Sequence, residues 1–171
     1  MKDIINTVNG LCNLKLDRFL CTNTGIRIHG IPVYIQKANA FERKAWVFTS
    51  VCVAKLTNGV DCYLIKVDNN FDSLSNKAKQ FLICHELGHC FCGHCDLKSS
   101  KIIFYNFLRL VGIAPLENEA DCVAICMCDI SFYEYKQVMK EMSSVSKQKK
   151  ISLSKLDMLS RLLTQKKRKL S

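Results

Sequence analysis

Residues 78–89 read Ala-Lys-Gln-Phe-Leu-Ile-Cys-His-Glu-Leu-Gly-His and place two imidazoles four positions apart, with a carboxylate beside the first. The apolar residues before the histidines recur at helical spacing, and Ser73 or Ser75 offers an N-cap. The sequence therefore predicts a helix that carries this motif well inside it. On such a helix His85 and His89 lie on one face, one turn apart, where both can reach a single metal ion.

The pair of histidines fits a zinc site. Neutral imidazole suits a tetrahedral zinc ion, and a site with three protein ligands keeps its fourth position for water. Glu86 points toward the metal without ligating it, so it can take a proton from that water and later return it to a leaving amine. The motif predicts hydrolytic chemistry, although the same spacing also arises by chance on the solvated face of a helix.

An acidic segment further along the chain offers a candidate third ligand. Residues 116–126 follow Pro115 and read as a helix with an acidic first turn. Glu117 and Asp121 share a face of that helix, which predicts Glu117 as the third zinc ligand and Asp121 as the acceptor for the N–H of a ligand imidazole. The alternative is that Glu117, Glu119 and Asp121 only complement the positive end of the helix.

These motifs resemble those of the ImmA/IrrE metallopeptidases. The pattern of that family is a His-Glu-Leu-Gly-His helix, a nearby Gly-His or His-His, and a later Glu-x-Glu-Ala-Asn/Asp helix. The corresponding elements here are His85–His89, Gly93–His94 and Glu117–Asp121. Weaker likenesses are a strand with an Asn-containing turn at residues 63–70 and a closing helix at residues 151–162, which carries an Arg-Leu pair.

The resemblance implies a zinc-dependent endopeptidase with a zincin-like fold, in which His85, His89 and Glu117 hold Zn²⁺ and Glu86 activates water. It also implies that the substrate is a helix-turn-helix transcriptional repressor, encoded on a phage or another mobile element or acting in a stress response. Two departures stand out. Residues 126–130 read Cys-Met-Cys-Asp-Ile where the family has an apolar run closed by Met-Pro, and the N-terminal third matches only in its general order of a helix and strands.

The fold class predicted for the chain is α+β. A helix is expected near residues 3–20, strands at residues 31–35, 45–53 and 60–65, and a turn at residues 57–59 that pairs the last two strands as a hairpin. We therefore expect a small antiparallel sheet packed on the active-site helix, followed by a mainly helical C-terminal half. In zinc peptidases of the type that the chain resembles, an extended substrate adds itself as a strand to the sheet edge beside that helix.

Length and composition fit one catalytic domain. A chain of 171 residues, 49% of them apolar, can bury a substantial core. We place the domain at residues 1–165 and a basic tail at residues 166–171. The last 25 residues hold nine Lys or Arg against one acid, a surplus of +8 within the total of +10. Such a run is usually a solvated terminus. The alternative is attraction to an acidic partner or to DNA, without sequence-specific contacts because no helix-turn-helix motif is evident.

Cysteine usage and hydropathy predict a cytoplasmic protein. The eleven cysteines are odd in number, the first residues lack the pattern of a secretion signal, and reducing compartments keep thiols free. Residues 101–110 have the spacing of an amphipathic helix that faces the core, and no apolar run is long enough to cross a bilayer. No membrane partner is expected.

The cysteines also raise the question of a second metal. Cys92 and Cys95 form a C-x-x-C pair, and Cys122, Cys126 and Cys128 cluster in the later helix. Four thiolates could close a structural zinc site, but buried Cys more often packs as a small apolar residue.

His94 and the electrophilic helper are less well defined by the sequence. His94 lies five positions past His89 and so off the ligand face, which favours packing or support of a ligand over metal binding. On residue type alone, the helper could be Tyr133, Tyr135, His94 or Arg161.

Two other functions are compatible with the same residues. A regulatory protein could keep the zinc fold and dock on a repressor through its basic tail without cutting it. A DNA-associated metalloprotease of the SprT type also carries H-E-x-x-H and a basic surface, but it would use a further His instead of Glu117 as its third ligand.

Overall fold

Four strands and four helices make up the part of the chain that this computed structural model describes, which is residues 2–13, 21–38, 48–96 and 114–145. The strands are β1 (Cys21–Ile28), β2 (Ile31–Lys37), β3 (Thr49–Lys55) and β4 (Asp61–Val67). The helices are α1 (Lys2–Cys12), α2 (Asn76–Phe91), α3 (Pro115–Cys128) and α4 (Phe132–Val145). The predicted α+β class is confirmed. Three predicted segments lie wholly outside the described residues: the amphipathic helix at 101–110, the closing helix at 151–162 and the basic tail at 166–171. Residues 45–47 of the strand predicted at 45–53 also lie outside them.

The sheet is mixed, so the prediction of an antiparallel sheet is wrong for one pair of strands. The strand order is β1-β2-β4-β3, with β2 and β4 parallel and the two outer pairs antiparallel. Burial explains the order. Tyr63, Ile65 and Val67 of β4 are almost fully buried, whereas β3 keeps half-exposed residues along its length. The more apolar strand of the hairpin therefore takes the central place beside β2, with which it pairs in parallel.

The predicted hairpin of β3 and β4 is confirmed, with its strands shifted by a few residues. Thr49 pairs with Val67 and Lys55 with Asp61, and the turn closes where the Gly59 N–H donates to the Leu56 carbonyl oxygen. Gly59 has a φ of +81°, which side chains with a Cβ rarely adopt. A local turn signal of this kind sets strand register without help from distant residues.

β1 was not predicted. Its side chains alternate between solvent and core from Thr24 onward, so that Ile26 and Ile28 are buried. The register against β2 shifts between Asn23 and Arg27, around a Gly25 that has a φ of +78°. An irregularity in the middle of a strand breaks the alternating pattern from which strands are predicted.

Helix α2 lies at the centre of the described part. It packs against the helices α1, α3 and α4 and against the strands β3 and β4 of the sheet. Ser75 is its N-cap, because the Ser75 hydroxyl oxygen accepts from the Ala78 N–H, whereas Ser73 ends a short 3₁₀ turn at Asn69–Ser73. The buried residues of α2 include Phe81 and Leu87. The helix that carries the histidine motif is thus held on several sides.

Helices α3 and α4 follow one another with a tight break. Pro115 occupies the first turn of α3, as predicted, and the helix ends at Cys128, where Asp129 adopts a left-handed conformation with a φ of +49°. This helix end replaces the Met-Pro expected from the family pattern. The N-terminal helix α1 ends at Cys12, and residues 14–20 of the predicted helix lie outside the described residues.

All eleven cysteines lie within the described residues, and none of them is paired in a disulfide. Four of them are buried, and three are exposed. The buried ones are Cys12, Cys62, Cys84 and Cys90, and the exposed ones are Cys21, Cys92 and Cys126. In the described part of the chain, no helix has both the length and the apolar character needed to cross a membrane.

Candidate metal centre

Two helices bring three donor atoms together. His85 and His89 on α2 direct their Nε2 atoms at each other, 3.1 Å apart. Glu117 in the first turn of α3 places Oε2 3.3 Å from the His85 Nε2 and 3.9 Å from the His89 Nε2. The sequence-predicted ligand set is thus brought together in space, and each of its three side chains keeps partial access to solvent.

The donor set fits a metal ion by chemistry and by spacing. Bonds of about 2.0–2.2 Å in a tetrahedron separate ligand atoms by about 3.4 Å, close to two of the three observed separations, with the third at 3.9 Å. Two imidazoles and one carboxylate are also a ligand set found in catalytic zinc sites. The three residues could therefore hold a cation such as zinc and leave one coordination position open.

The two histidines have opposite electrostatic surroundings. Burial disfavours the charged form of His85, but hydrogen bonds to Asp121 and Glu117 outweigh it and raise its pKa to about 10. Burial lowers the pKa of His89 to about 4, and the neighbouring His85 adds to that shift. Asp121 and Glu117 therefore stabilise a positive charge on His85, and a metal ion at the same place would meet the same attraction.

Behind His85 lies a buried chain of hydrogen bonds. The His85 Nδ1 is 2.7 Å from Asp121 Oδ1, and the hydroxyl of Tyr135 on α4 donates to Asp121 Oδ2 at 3.0 Å. Asp121 is 2% exposed and Tyr135 is fully buried. These contacts place Asp121 where it can hold the His85 ring with its Nε2 toward Glu117. Tyr135 was a candidate helper, but its hydroxyl is committed to Asp121.

Glu86 is buried beside the histidines, on the side of the sheet. The hydroxyl of Thr49, the first residue of β3, donates to Glu86 Oε1 at 2.7 Å. Burial raises the pKa of Glu86, while the nearby His85 and the Thr49 hydrogen bond act in the opposite direction. A carboxylate in such surroundings is a stronger proton acceptor than one in water.

Gly88 allows α2 and α3 to approach closely. A Cβ at this position would lie 2.9 Å from the Ala120 carbonyl oxygen and 3.0 Å from the Ala120 Cα, which are both backbone atoms. Only a residue without a side chain fits there. Since Ala120 lies between Glu117 and Asp121 in sequence, this contact sets how near both acids come to the histidines.

His94 lies next to the three donor atoms without joining them. It sits in a short 3₁₀ turn at His94–Asp96, and its Nδ1 is 2.9 Å from the Nδ1 of His89. The side of the His89 ring that faces His94 is therefore opposite the Nε2 that faces Glu117. This placement agrees with the sequence argument that His94 lies off the ligand face.

Tyr133 and Arg161 were the remaining candidates for the electrophilic helper. Tyr133 is 70% exposed and Arg161 lies outside the described residues.

Among the described residues, the groups of three or more metal-capable side chains are His85, His89 and Glu117, and a second group that contains a single cysteine, Cys92. No four-thiolate site forms there.

Sequence reasoning missed several residues of this site. Thr49 carries no signal, because a Thr at the start of a strand is common and Glu86 lies 37 positions away. Gly88 did carry a signal, since glycine inside a helix costs roughly 1 kcal/mol relative to alanine and so needs a packing reason. Glu119 lay within the quoted acidic motif and was read only as part of a helix end.

The chain was compared with known protein families, with curated proteins and with solved structures, and none of them matches it. The chemistry of the site therefore rests on the residues and their geometry.

Proposed function

We propose that this chain is a zinc-dependent endopeptidase of the ImmA/IrrE type with a zincin-like arrangement of sheet and helices. The observation that carries the proposal is the convergence of the His85, His89 and Glu117 donor atoms beside the buried carboxylate of Glu86. Neither half of this arrangement is enough alone. Three ligands without a base describe a structural metal site, and a base without ligands has no metal to work beside.

The chain's own residues account for the proton transfers of peptide hydrolysis. A bound zinc ion lowers the pKa of water and polarises a carbonyl oxygen. Glu86 takes the proton of the attacking water and then donates it to the leaving amine. Thr49 holds one oxygen of Glu86 in place during both transfers, and Asp121 keeps the His85 ring oriented. The reaction consumes one water and yields a new carboxylate and a new amine.

The sheet offers a place for an extended substrate. Within the described residues β3 lies at one end of the strand order, and Thr49 at its start contacts Glu86. A peptide that pairs with the outer edge of β3 would run past Glu86 and the histidines. From the likeness of its motifs to ImmA/IrrE proteins, we propose that this peptide belongs to a helix-turn-helix transcriptional repressor and that cleavage relieves repression.

Glu86→Gln tests the peptidase. The variant keeps the shape of the side chain and removes its basicity, so zinc content measured by elemental analysis should stay near one per chain while cleavage is lost. As the substrate we propose a helix-turn-helix repressor encoded beside this gene, and mass spectrometry would detect its new fragments. Asp61→Asn makes the same acid-to-amide change at an exposed position, where the carboxylate lies 3.9 Å from the Lys55 Nζ, so this matched control should cleave normally. Relief of repression by Glu86→Gln would instead favour a regulator that binds without cutting.

Glu117→Ala separates this proposal from a SprT-type protease. Because the Glu117 carboxylate faces both Nε2 atoms, its removal should abolish stoichiometric zinc binding, whereas His94→Ala should only weaken it. Zinc that is lost in His94→Ala and retained in Glu117→Ala would make His94 the third ligand and would contradict our assignment.

A further inference from the structure

A second polar cluster adjoins the proposed zinc site. Cys92, His94 and Glu119 bring metal-capable atoms within 4.8 Å of one another, where the end of α2 meets the first turns of α3. Cys92 and Glu119 are exposed, and His94 lies between Glu119 and the proposed ligand His89. The cluster is either a second metal site or a support for the first, and its hydrogen bonds distinguish these roles.

Both ring nitrogens of His94 are engaged. The His94 Nδ1 is 2.9 Å from the Nδ1 of His89, and the His94 Nε2 is 2.9 Å from Glu119 Oε2. The two imidazoles and the carboxylate thus form a continuous chain of contacts. It runs from the back of the proposed ligand ring to the protein surface, where the Glu119 side chain is 62% exposed.

A metal bound at the His89 Nε2 would set the direction of both hydrogen bonds in this chain of contacts. If the His89 Nε2 lone pair binds zinc, the proton of the neutral ring is on Nδ1, which then donates to His94. The His94 Nδ1 must accept, so the proton of the neutral His94 is on Nε2 and is donated to Glu119. One arrangement of protons satisfies all three residues.

We propose that His94 and Glu119 are positioning residues that hold His89 in the tautomer with its proton on Nδ1. The unprotonated Nε2 then faces Glu117. The proposal rests on the proposed zinc site. In this arrangement a carboxylate supports the His89 ring, as Asp121 supports the His85 ring. Asp121 contacts the His85 ring directly, whereas Glu119 acts on the His89 ring through His94. Carboxylate support of this kind orients ligand imidazoles and makes them better donors to the metal.

A second zinc ion at Cys92, His94 and Glu119 conflicts with this arrangement. We call the chain of hydrogen bonds from His89 through His94 to Glu119 the relay. A metal bound at the His94 Nε2 would need a lone pair on that atom, but in the relay the His94 Nε2 carries a proton. His94 would then have to carry its proton on Nδ1, facing the protonated Nδ1 of His89, or lose it altogether. The relay therefore predicts one zinc ion per chain and no role for the Cys92 thiol in zinc binding.

Nitrogen-15 NMR of histidine-labelled, zinc-loaded protein tests the relay directly. Long-range ¹H–¹⁵N spectra distinguish the two neutral tautomers of each ring. We expect His89 as the Nδ1–H tautomer and His94 as the Nε2–H tautomer, with the His94 signal shifted in Glu119→Gln. A His94 that carries its proton on Nδ1 in the zinc-loaded wild type would overturn the relay and leave the zinc site intact.

Zinc affinity gives a second, independent measurement. In competition with a chromogenic chelator, His94→Ala should bind zinc about 10- to 100-fold more weakly than wild type. His94→Asn should recover part of the loss, because its amide oxygen can accept from the His89 Nδ1–H. Cys92→Ser should match wild type in affinity and in the stoichiometry of one.

The outcomes separate the relay from the peptidase proposal. Two zinc ions per chain, with one lost in Cys92→Ser, would replace the relay with a second metal site. Equal losses in His94→Ala and His94→Asn would also contradict the relay, since a merely structural role predicts no rescue. A wild-type chain that binds no zinc would overturn the proposed function and the relay together.

Discussion

At the residue scale, the site is built from pairs in which one side chain acts and another holds it. Thr49 holds Glu86, Asp121 holds His85, and each of these two contacts is a hydrogen bond of 2.7 Å. The acting residues were predictable, because helical spacing places His85 and His89 together wherever the helix lies. Thr49 was not, because its partner is 37 positions away and only the packing of β3 on α2 joins them.

Thr49→Val should impair turnover without loss of zinc. The substitution keeps the shape of the side chain and removes the hydroxyl that donates to Glu86. Hydrogen bonds to charged groups contribute about 1.5–3 kcal/mol, so we expect kcat to fall about 10-fold or more. Cleavage kinetics and zinc content measure the two effects separately. Thr49→Ser, which keeps the hydroxyl, should retain most of the activity, and equal losses in both variants would contradict a role for this hydrogen bond.

At the element scale, the separation of α2 and α3 decides whether Glu117 reaches the histidines. The two helices were predicted from apolar spacing and from Pro115, since these signals are local. Their distance was not, because it depends on Gly88 meeting the backbone of Ala120. The order of the strands was not predicted either, because it also depends on contacts between residues that are distant in sequence. The β3–β4 hairpin follows from its turn, whereas the pairing of β4 with β2 joins strands that are distant in sequence and places the buried strand β4 inside the sheet.

Gly88→Ala should push α2 and α3 apart. The added Cβ would lie 2.9 Å from a backbone oxygen that cannot move without the helix. Overpacking of this kind costs about 1–3 kcal/mol, which exceeds the gain in helix propensity of roughly 1 kcal/mol over most of that range. We therefore expect a lower free energy of unfolding in urea and weaker zinc binding.

The control for that variant lies in α1. A Cβ at Gly10 meets nothing within 4 Å, so Gly10→Ala should leave zinc binding unchanged and stabilise the fold slightly. A Gly88→Ala protein with wild-type zinc affinity would show that the helix contact does not position Glu117.

At the scale of the whole molecule, the proposed zinc ion joins two parts of the chain that are separate in sequence. His85 and His89 lie on α2, Glu117 lies on α3, and α3 and α4 pack on α2. A ligand that binds only the folded state stabilises it by mass action. Zinc bound at this junction should therefore contribute to the stability of the fold as well as to its chemistry.

Removal of zinc should lower the thermal midpoint of unfolding. Zinc present at 100 times its dissociation constant would stabilise the fold by about 2.7 kcal/mol, which corresponds to roughly 5–10 °C for a domain of this size. Differential scanning calorimetry with and without a chelator measures the change. In Glu117→Ala the chelator should have little effect, and an equally large shift in that variant would place the stabilising metal elsewhere.

The cysteines described above differ in burial, so their reactions with an alkylating reagent can report on openings of the folded core. Cys21, Cys92 and Cys126 lie at the surface and should be modified at once, whereas Cys84 and Cys90 are fully buried. The thiolate is the reactive form of cysteine, and burial in apolar surroundings disfavours it. A buried thiol therefore reacts only when the structure opens locally. Mass spectrometry of timed labelling should therefore show three fast additions followed by slow ones. The rate of the slow additions at Cys84 and Cys90 would measure how often the helix that bears the histidines separates from its neighbours.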